Sequence, residues 1–159
     1  DALPICSGVI NEFDASHVGA GDLVELYNPG PDEIHLYGWY LINGDSLDPL
    51  YGFIPPGGFY LQVTSAGFEL EEIGLLYVFR SDGTRVDQLG FHDGPELDPG
   101  ECLGRCPDGA EPYLGYSYDT SGGGVTFLPM PCSPGESNEP CGPTPATSVT
   151  WGRLKRVFE

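Results

Sequence analysis

The sequence predicts an all-β domain, and three observations carry that expectation. Residues 22–42 hold two apolar runs, rich in β-branched and aromatic side chains, on either side of Asn28-Pro29-Gly30-Pro31, which is turn chemistry that no helix interior can carry. Ser81-Asp82-Gly83-Thr84 separates two further apolar runs, and Asp-Gly accepts the positive φ that a tight hairpin turn demands. The 24 glycines and 16 prolines among 159 residues would by themselves suggest disorder, but nine Tyr, eight Phe and two Trp supply burial that a disordered tract lacks. A loop-rich β domain satisfies both facts. The length suits one domain, able to bury about 70% of the surface its unfolded chain exposes.

In chain order, residues 1–7 read as a lead-in. Gly8 to Phe13 is the first strand, with Val9, Asn11 and Phe13 expected on one face and Ile10 and Glu12 on the other. A glycine-bearing loop follows, and then the central pair of strands: Leu23 to Tyr27 before the turn, and Trp39-Tyr40-Leu41-Ile42 beyond it. Trp39 is the expected centre of the core. Asn43-Gly44-Asp45-Ser46 turns the chain. Leu50 to Ile54 is expected as a brief strand stopped by Pro55-Pro56-Gly57-Gly58, and because proline donates no ladder hydrogen bond this corner belongs at a sheet edge or end. Phe59 to Val63 and Leu75 to Phe79 are strands, separated by an acidic segment with room for one helical turn. Arg85 to Leu89 returns from the Asp-Gly turn. Glu101 to Cys106 is a short strand, Pro107-Asp108-Gly109 reverses the chain, and Val125 to Leu128 resumes after a loop carrying Tyr113, Tyr116 and Tyr118. That aromatic loop reads as a lid or a contact to a neighbour, with ligand binding as the alternative. Residues 139–147 are a proline-rich linker.

Several blocks fall in an order with a counterpart. They are Val9-Ile10-Asn11-Glu12-Phe13, then the run from Asp22 through Glu25 and Asn28 to Gly30, then Leu36-Tyr37-Gly38-Trp39-Tyr40-Leu41. Ile54-Pro55-Pro56-Gly57-Gly58, Ser81-Asp82-Gly83-Thr84, the run from Gly100 to Gly109 and Ser133-Pro134-Gly135-Glu136-Ser137-Asn138 follow. Together they resemble the lamin tail domain family, in its bacterial, exported type, over residues 8–138. The resemblance implies an immunoglobulin-like β-sandwich. It also implies that Asn11, Glu12, Glu25, Asn28 and Trp39 belong to the signature of the fold rather than to a catalytic site. Cys102 and Cys106 depart from the family pattern, as does the glycine-rich insertion after Pro112. The same sandwich serves nuclear filaments, bacterial exported proteins and modules of secreted enzymes, so function must rest on the segments outside the shared blocks.

Six basic residues against 24 acidic ones give a formal charge of −18, which opposes nucleic acid and anionic membrane surfaces as main partners. The acid reads as solubility in an extracellular medium, with a structural calcium ion as the alternative. No stretch reproduces the regular acidic loop of a helix-loop-helix calcium site, which leaves Asp14, Asp22, Asp45 and Asp48 as the loop candidates. The cysteines, at positions 6, 102, 106, 132 and 141, lack paired zinc-type spacing and read as disulfide partners. If the strands around the Tyr-rich loop pair, Cys102 faces Cys132, leaving Cys6 and Cys141 for the two ends of the domain and an odd cysteine free to link subunits. No apolar run reaches membrane-spanning length, no signal peptide is present and the chain begins with Asp, so a trimmed product at the cell surface or outside the cell is expected.

Nothing local places a nucleophile beside a base, and His17, His35 and His92 read as scattered surface histidines. Glu12 and Glu25 would form a carboxylate pair if their strands are neighbours, but glycosidase chemistry also wants a cleft between the acids, which a compact sandwich lacks by default. A catalytic role is not expected. The final segment, residues 148–159, differs in kind. Trp151, Leu154 and Phe158 recur at the spacing of one helix face, predicting a short amphipathic helix, with an added edge strand as the second reading. Arg153, Lys155 and Arg156 are half of all the basic residues, so the final seven residues carry +2 and the preceding 152 carry −20. These six side chains are the expected contacts of a docking segment, folded back on its own domain or seated on the next copy. Two functions follow: a subunit of an extracellular filament or sheath that binds copies of itself, or a monomeric adhesion module that recognises protein or glycan.

Overall fold

The computed structural model describes residues 8–14, 22–65, 67–68, 70, 74–91, 100–109, 116–118 and 127–138. The described residues form strands and turns without a helix: β1 (Val9–Asp14), β2 (Leu23–Tyr27), β3 (Ile34–His35), β4 (Tyr40–Asn43), β5 (Ser46–Pro49), β6 (Phe53–Ile54), β7 (Phe59–Val63), β8 (Gly74–Phe79), β9 (Arg85–Phe91), β10 (Glu101–Arg105), β11 (Tyr116–Tyr118) and β12 (Phe127–Pro131). They build a sandwich-like, all-β fold. One five-stranded sheet runs β12-β10-β1-β2-β7 and a second runs β11-β9-β8-β4-β5, with β3 and β6 as a separate two-stranded ribbon. All pairings are antiparallel except that of β11 with β9.

The core joins Ile10, Phe13, Val24, Leu26 and Leu103 of the first sheet to Leu41, Leu76, Val78, Val86 and Leu89 of the second. Ile34, Leu36, Trp39, Leu50 and Ile54 join the same cluster from the ribbon and its flanks, and Phe68 and Leu70 complete it. The Arg80 guanidinium lies 5.7 Å above the Trp39 ring, a cation–π contact that leaves the ring edge in the core.

Four sequence expectations change. In β1, Ile10 pairs with Leu26 but Glu12 pairs with Glu25, so Asn11 is the extra residue of a β-bulge. The bulge shifts the alternation by one, and Ile10 and Phe13, expected on opposite faces, both enter the core. The two strands flanking the 28–33 turn do not pair with each other; β2 and β4 lie in different sheets. Asn28 is the reason the chain crosses there. Its carboxamide donates to the carbonyls of Asp32 (2.7 Å) and Ile54 (3.0 Å) and accepts from Gly30 N–H (2.9 Å), which holds the turn over the ribbon. The strand expected at Leu50 to Ile54 is divided. The tight β4–β5 hairpin pairs Asn43 with Ser46, so its ladder runs out at Pro49. Leu50 then donates to the Trp39 carbonyl at 2.8 Å, and Phe53 and Ile54 pair with β3. Finally, β12 continues through Pro129 and Pro131, which its position at the sheet edge permits.

The hairpin at Asp82-Gly83 joins β8 to β9, with Gly83 at a φ of 80°. The one helical turn expected within residues 64–74 is not seen among the described residues; Phe68 N–H closes a turn on the Ser65 carbonyl at 2.9 Å. The predicted terminal helix and its contacts Trp151, Arg153, Leu154, Lys155, Arg156 and Phe158 lie outside the described residues, as do Cys6, Cys141, His17 and His92.

Candidate functional site

Three of the five signature residues meet on the outer face of the first sheet. Glu12 and Glu25 are direct cross-strand partners there, and both are 0% exposed. What covers them is a strap, residues 133–138, together with the loop that carries Asp108 and Gly109. Ser133 N–H donates to Glu12 Oε1 at 3.0 Å, Ser133 Oγ lies 2.8 Å from Glu12 Oε2, and Gly135 N–H donates to Glu25 Oε2 at 2.6 Å. Asn11, freed from strict alternation by the bulge, donates to Glu25 Oε1 (3.1 Å) and Asp108 Oδ1 (3.0 Å) and accepts from Gly109 N–H (3.1 Å). Asn138 closes the far end, its Nδ2 donating to the carbonyls of Asn11 (3.2 Å) and Arg105 (3.1 Å).

Two glycines make the room. Gly104 is the β10 neighbour of Glu12, and a Cβ there would run into Met130 and the Asn138 carboxamide. Gly109 has a φ of 65°, and a Cβ on it would strike the Tyr27 ring. The enclosure sets the charge state of the acids. Burial pushes the Glu25 carboxyl up to about 7, against the pull of Gly135 N–H and Asn11, and burial likewise raises Glu12 against the pull of Ser133 N–H. The carboxylate pair foreseen if the two strands are neighbours is formed, and the strap covers both acids.

A second polar group joins the sheets. Arg105 of β10 and Asp87 of β9, both buried, form an ion pair at 3.0 Å. Asp87 also accepts the N–H groups of Ile10 (2.8 Å) and Gln88 (2.9 Å), and Arg105 Nε donates to the Ile10 carbonyl at 2.8 Å. The pair therefore takes over both backbone groups of the residue just before the bulge. Desolvation pushes the Asp87 carboxyl up to about 7, with Arg105 pulling the other way.

Cys102 is bonded to Cys132, although the residue opposite Cys102 in the ladder is Met130. Cys106 is disulfide-bonded as well. It is therefore not the odd cysteine. Among the described residues one group offers three converging metal-type ligands, Glu12, Cys102 and Cys132; the two sulfurs are bonded to each other and provide no thiolate. Two of the four loop aspartates considered for calcium are hydrogen-bonded within the domain. Asp48 accepts from Gln62 Nε2 at 2.8 Å and from the Ser65 hydroxyl, and Asp22 accepts from Leu70 N–H. His35 is exposed and lies 3.2 Å from Glu33.

Sequence reasoning found Asn11, Glu12 and Glu25 but missed Asp108, Ser133 and Asn138 as their supports, and missed the pair of Asp87 and Arg105 that holds Ile10. One signal was available: Arg105 is one of only three basic residues before the tail, and a cation so rare in an acidic chain is worth asking a partner for. No helix among the described residues is long and apolar enough to cross a membrane. The fold and the buried network define the class: a sandwich-like, disulfide-bonded, all-β domain. Compared with protein-family models, with curated proteins and with solved structures, the chain finds no match in any of the three.

Proposed function

We propose that this domain is a non-catalytic, secreted structural protein, one subunit of an extracellular filament or sheath whose copies join through the basic terminal segment. The observation that carries the reading is the contrast between the two edges of the first sheet. β12 ends one side and is blunted by Pro129 and Pro131; β7 ends the other and contains no proline. On β7, Leu61 is 43% and Val63 57% exposed, and Leu47 on neighbouring β5 is exposed too. Among the described residues no strand lies beyond β7, and an edge with apolar side chains is a template for another chain. The tail offers matching chemistry, with Trp151, Leu154 and Phe158 for apolar contact and three cations for a strongly acidic body. A tail from one copy on the edge of the next is a heterologous contact, and such contacts grow into fibres when they do not close. Disulfides fit an oxidising compartment outside the cell, and the resemblance of the ordered blocks to the lamin tail domain suits a structural role.

The test is to delete residues 148–159 and, separately, to make Leu61→Lys with Val63→Lys. Electron microscopy and sedimentation should show fibres or oligomers for the full chain and folded monomers for both variants. Full-length protein that stays monomeric at high concentration, or a truncated chain that unfolds, ends the reading.

A second reading, a monomeric adhesion module, is favoured by the ribbon. His35 and Phe53 are paired there, and Tyr37 and Tyr51 flank them; Tyr37 is 83% exposed and Tyr51 and Phe53 are also exposed. Aromatic rings with polar rims suit the apolar faces of neutral sugars. Retention on an insoluble neutral polysaccharide, lost in Tyr37→Ala with Phe53→Ala, would support this alternative.

A further inference from the structure

We propose that residues 133–138 are a proton-operated latch, in which a proton held on Glu12 beside Glu25 keeps the strap shut over the first sheet and its loss loosens the strap. The Ser133 hydroxyl owns one hydrogen, yet it lies 2.8 Å from Glu12 Oε2 and 2.7 Å from Asn138 Oδ1. Asn138 cannot turn its amide to supply another, because its Nδ2 already donates to the carbonyls of Asn11 and Arg105. Both contacts are hydrogen bonds only when Glu12 is protonated: Glu12 donates to Ser133 Oγ, which donates on to Asn138 Oδ1. The closed strap therefore holds a proton on Glu12, while Glu25 accepts from Asn11 and Gly135.

The charged groups around the pair push in one direction. Glu25 stands opposite Glu12 in the ladder, Asp108 acts on both, and Asp14 of β1 acts on Glu12. The strap's own acid, Glu136, is exposed. Arg105, the cation of adjoining β10, aims its guanidinium at Asp87. Like charges this close titrate as a unit, the first proton being held more tightly than an ordinary glutamate holds its own. The sign follows. The closed state binds a proton that the open state releases, so the latch is firmest below the ordinary glutamate range. Opening grows with pH above that range, by at most about tenfold per pH unit, and levels off once the closed state too gives up its proton. The strap leads directly into residues 139–159, so it governs how firmly the base of the tail is held, whether or not the tail assembles copies.

The experiment is residue-resolved amide hydrogen exchange on the full chain at pH 5 and pH 8, corrected for intrinsic rates, in the unmodified protein and in Glu12→Gln. Glutamine carries its own N–H to Ser133 at any pH. In the unmodified protein, protection of Gly135 and Asn138 should fall by roughly a hundredfold from pH 5 to pH 8 while β1 and β2 keep theirs. In Glu12→Gln it should not change. Equal strap protection at the two pH values in the unmodified protein overturns the latch, as does a loss spread evenly over β1 and β2. Should Glu12→Gln not fold, carboxyl carbon titration of the unmodified protein decides: a midpoint near 7 in the pair supports the latch, and two ordinary glutamate midpoints sink it.

Discussion

Replacing Arg105 with methionine tests the joint between the sheets. The substitution keeps most of the side-chain volume but leaves Asp87 buried without a counter-charge and leaves the Ile10 carbonyl without its 2.8 Å donor. Breaking one half of a buried pair costs about 3–5 kcal/mol, and an orphaned buried carbonyl adds about 1–3 kcal/mol. Part of the first cost is avoided if Asp87 takes up a proton, so a net loss of about 4 kcal/mol at pH 8 is expected, a large share of the roughly 5–15 kcal/mol that holds a domain together. The pH dependence identifies the cause. Asp87, already pushed up to about 7, rises further without Arg105, and the folded variant then holds a proton that the unfolded chain releases above about pH 4. Stability that depends on a raised carboxyl is fully present at low pH and drains away as pH climbs, so the loss should be clearly smaller at pH 4 than at pH 8. Urea unfolding followed by tryptophan fluorescence at both pH values measures it. Adding Asp87→Leu should recover part of the loss, because the stranded charge goes while the backbone groups of Ile10 stay unpartnered. A loss under about 1 kcal/mol at pH 8, or one equal at the two pH values, would show that the ion pair is not what joins the sheets.

The Cys102 to Cys132 bridge closes a loop with a sequence separation of 30, so changing both residues to serine should lower stability by about 3–4 kcal/mol, read as a fall in melting temperature. An unchanged melting temperature would mean that the loop is already constrained without the bridge. Asn28→Ala removes three side-chain hydrogen bonds around the turn, and a loss of about 3 kcal/mol is expected from urea unfolding. Asn28→Asp should restore only the bond from Gly30; full recovery in that variant would contradict the assigned roles of the amide.

What the sequence by itself determined is what depends on near neighbours. The β class, the hairpin at Asp82-Gly83, the Trp39 region as core and the turn after Tyr27 all follow from alternation and turn chemistry within a few residues. Even the Cys102 to Cys132 bridge came from asking which short strands flank one loop. Tertiary structure decided everything set by partners far along the chain. The bulge at Asn11 is invisible in Val9-Ile10-Asn11-Glu12-Phe13, because an extra residue has meaning only against β2, and it alone moves Ile10 and Phe13 to one face. Glu12 and Glu25 read as signature residues and as a pair only if their strands meet, and nothing near them in the chain foretells that a strap more than 100 residues downstream covers them. Arg105 falls inside a short predicted strand, and only the stacking of the two sheets brings Asp87 to it and Ile10 to both. A charge goes into an apolar interior only where its partner is already fixed, and that partner is fixed by the packing of sheets, not by the residues beside it in the chain.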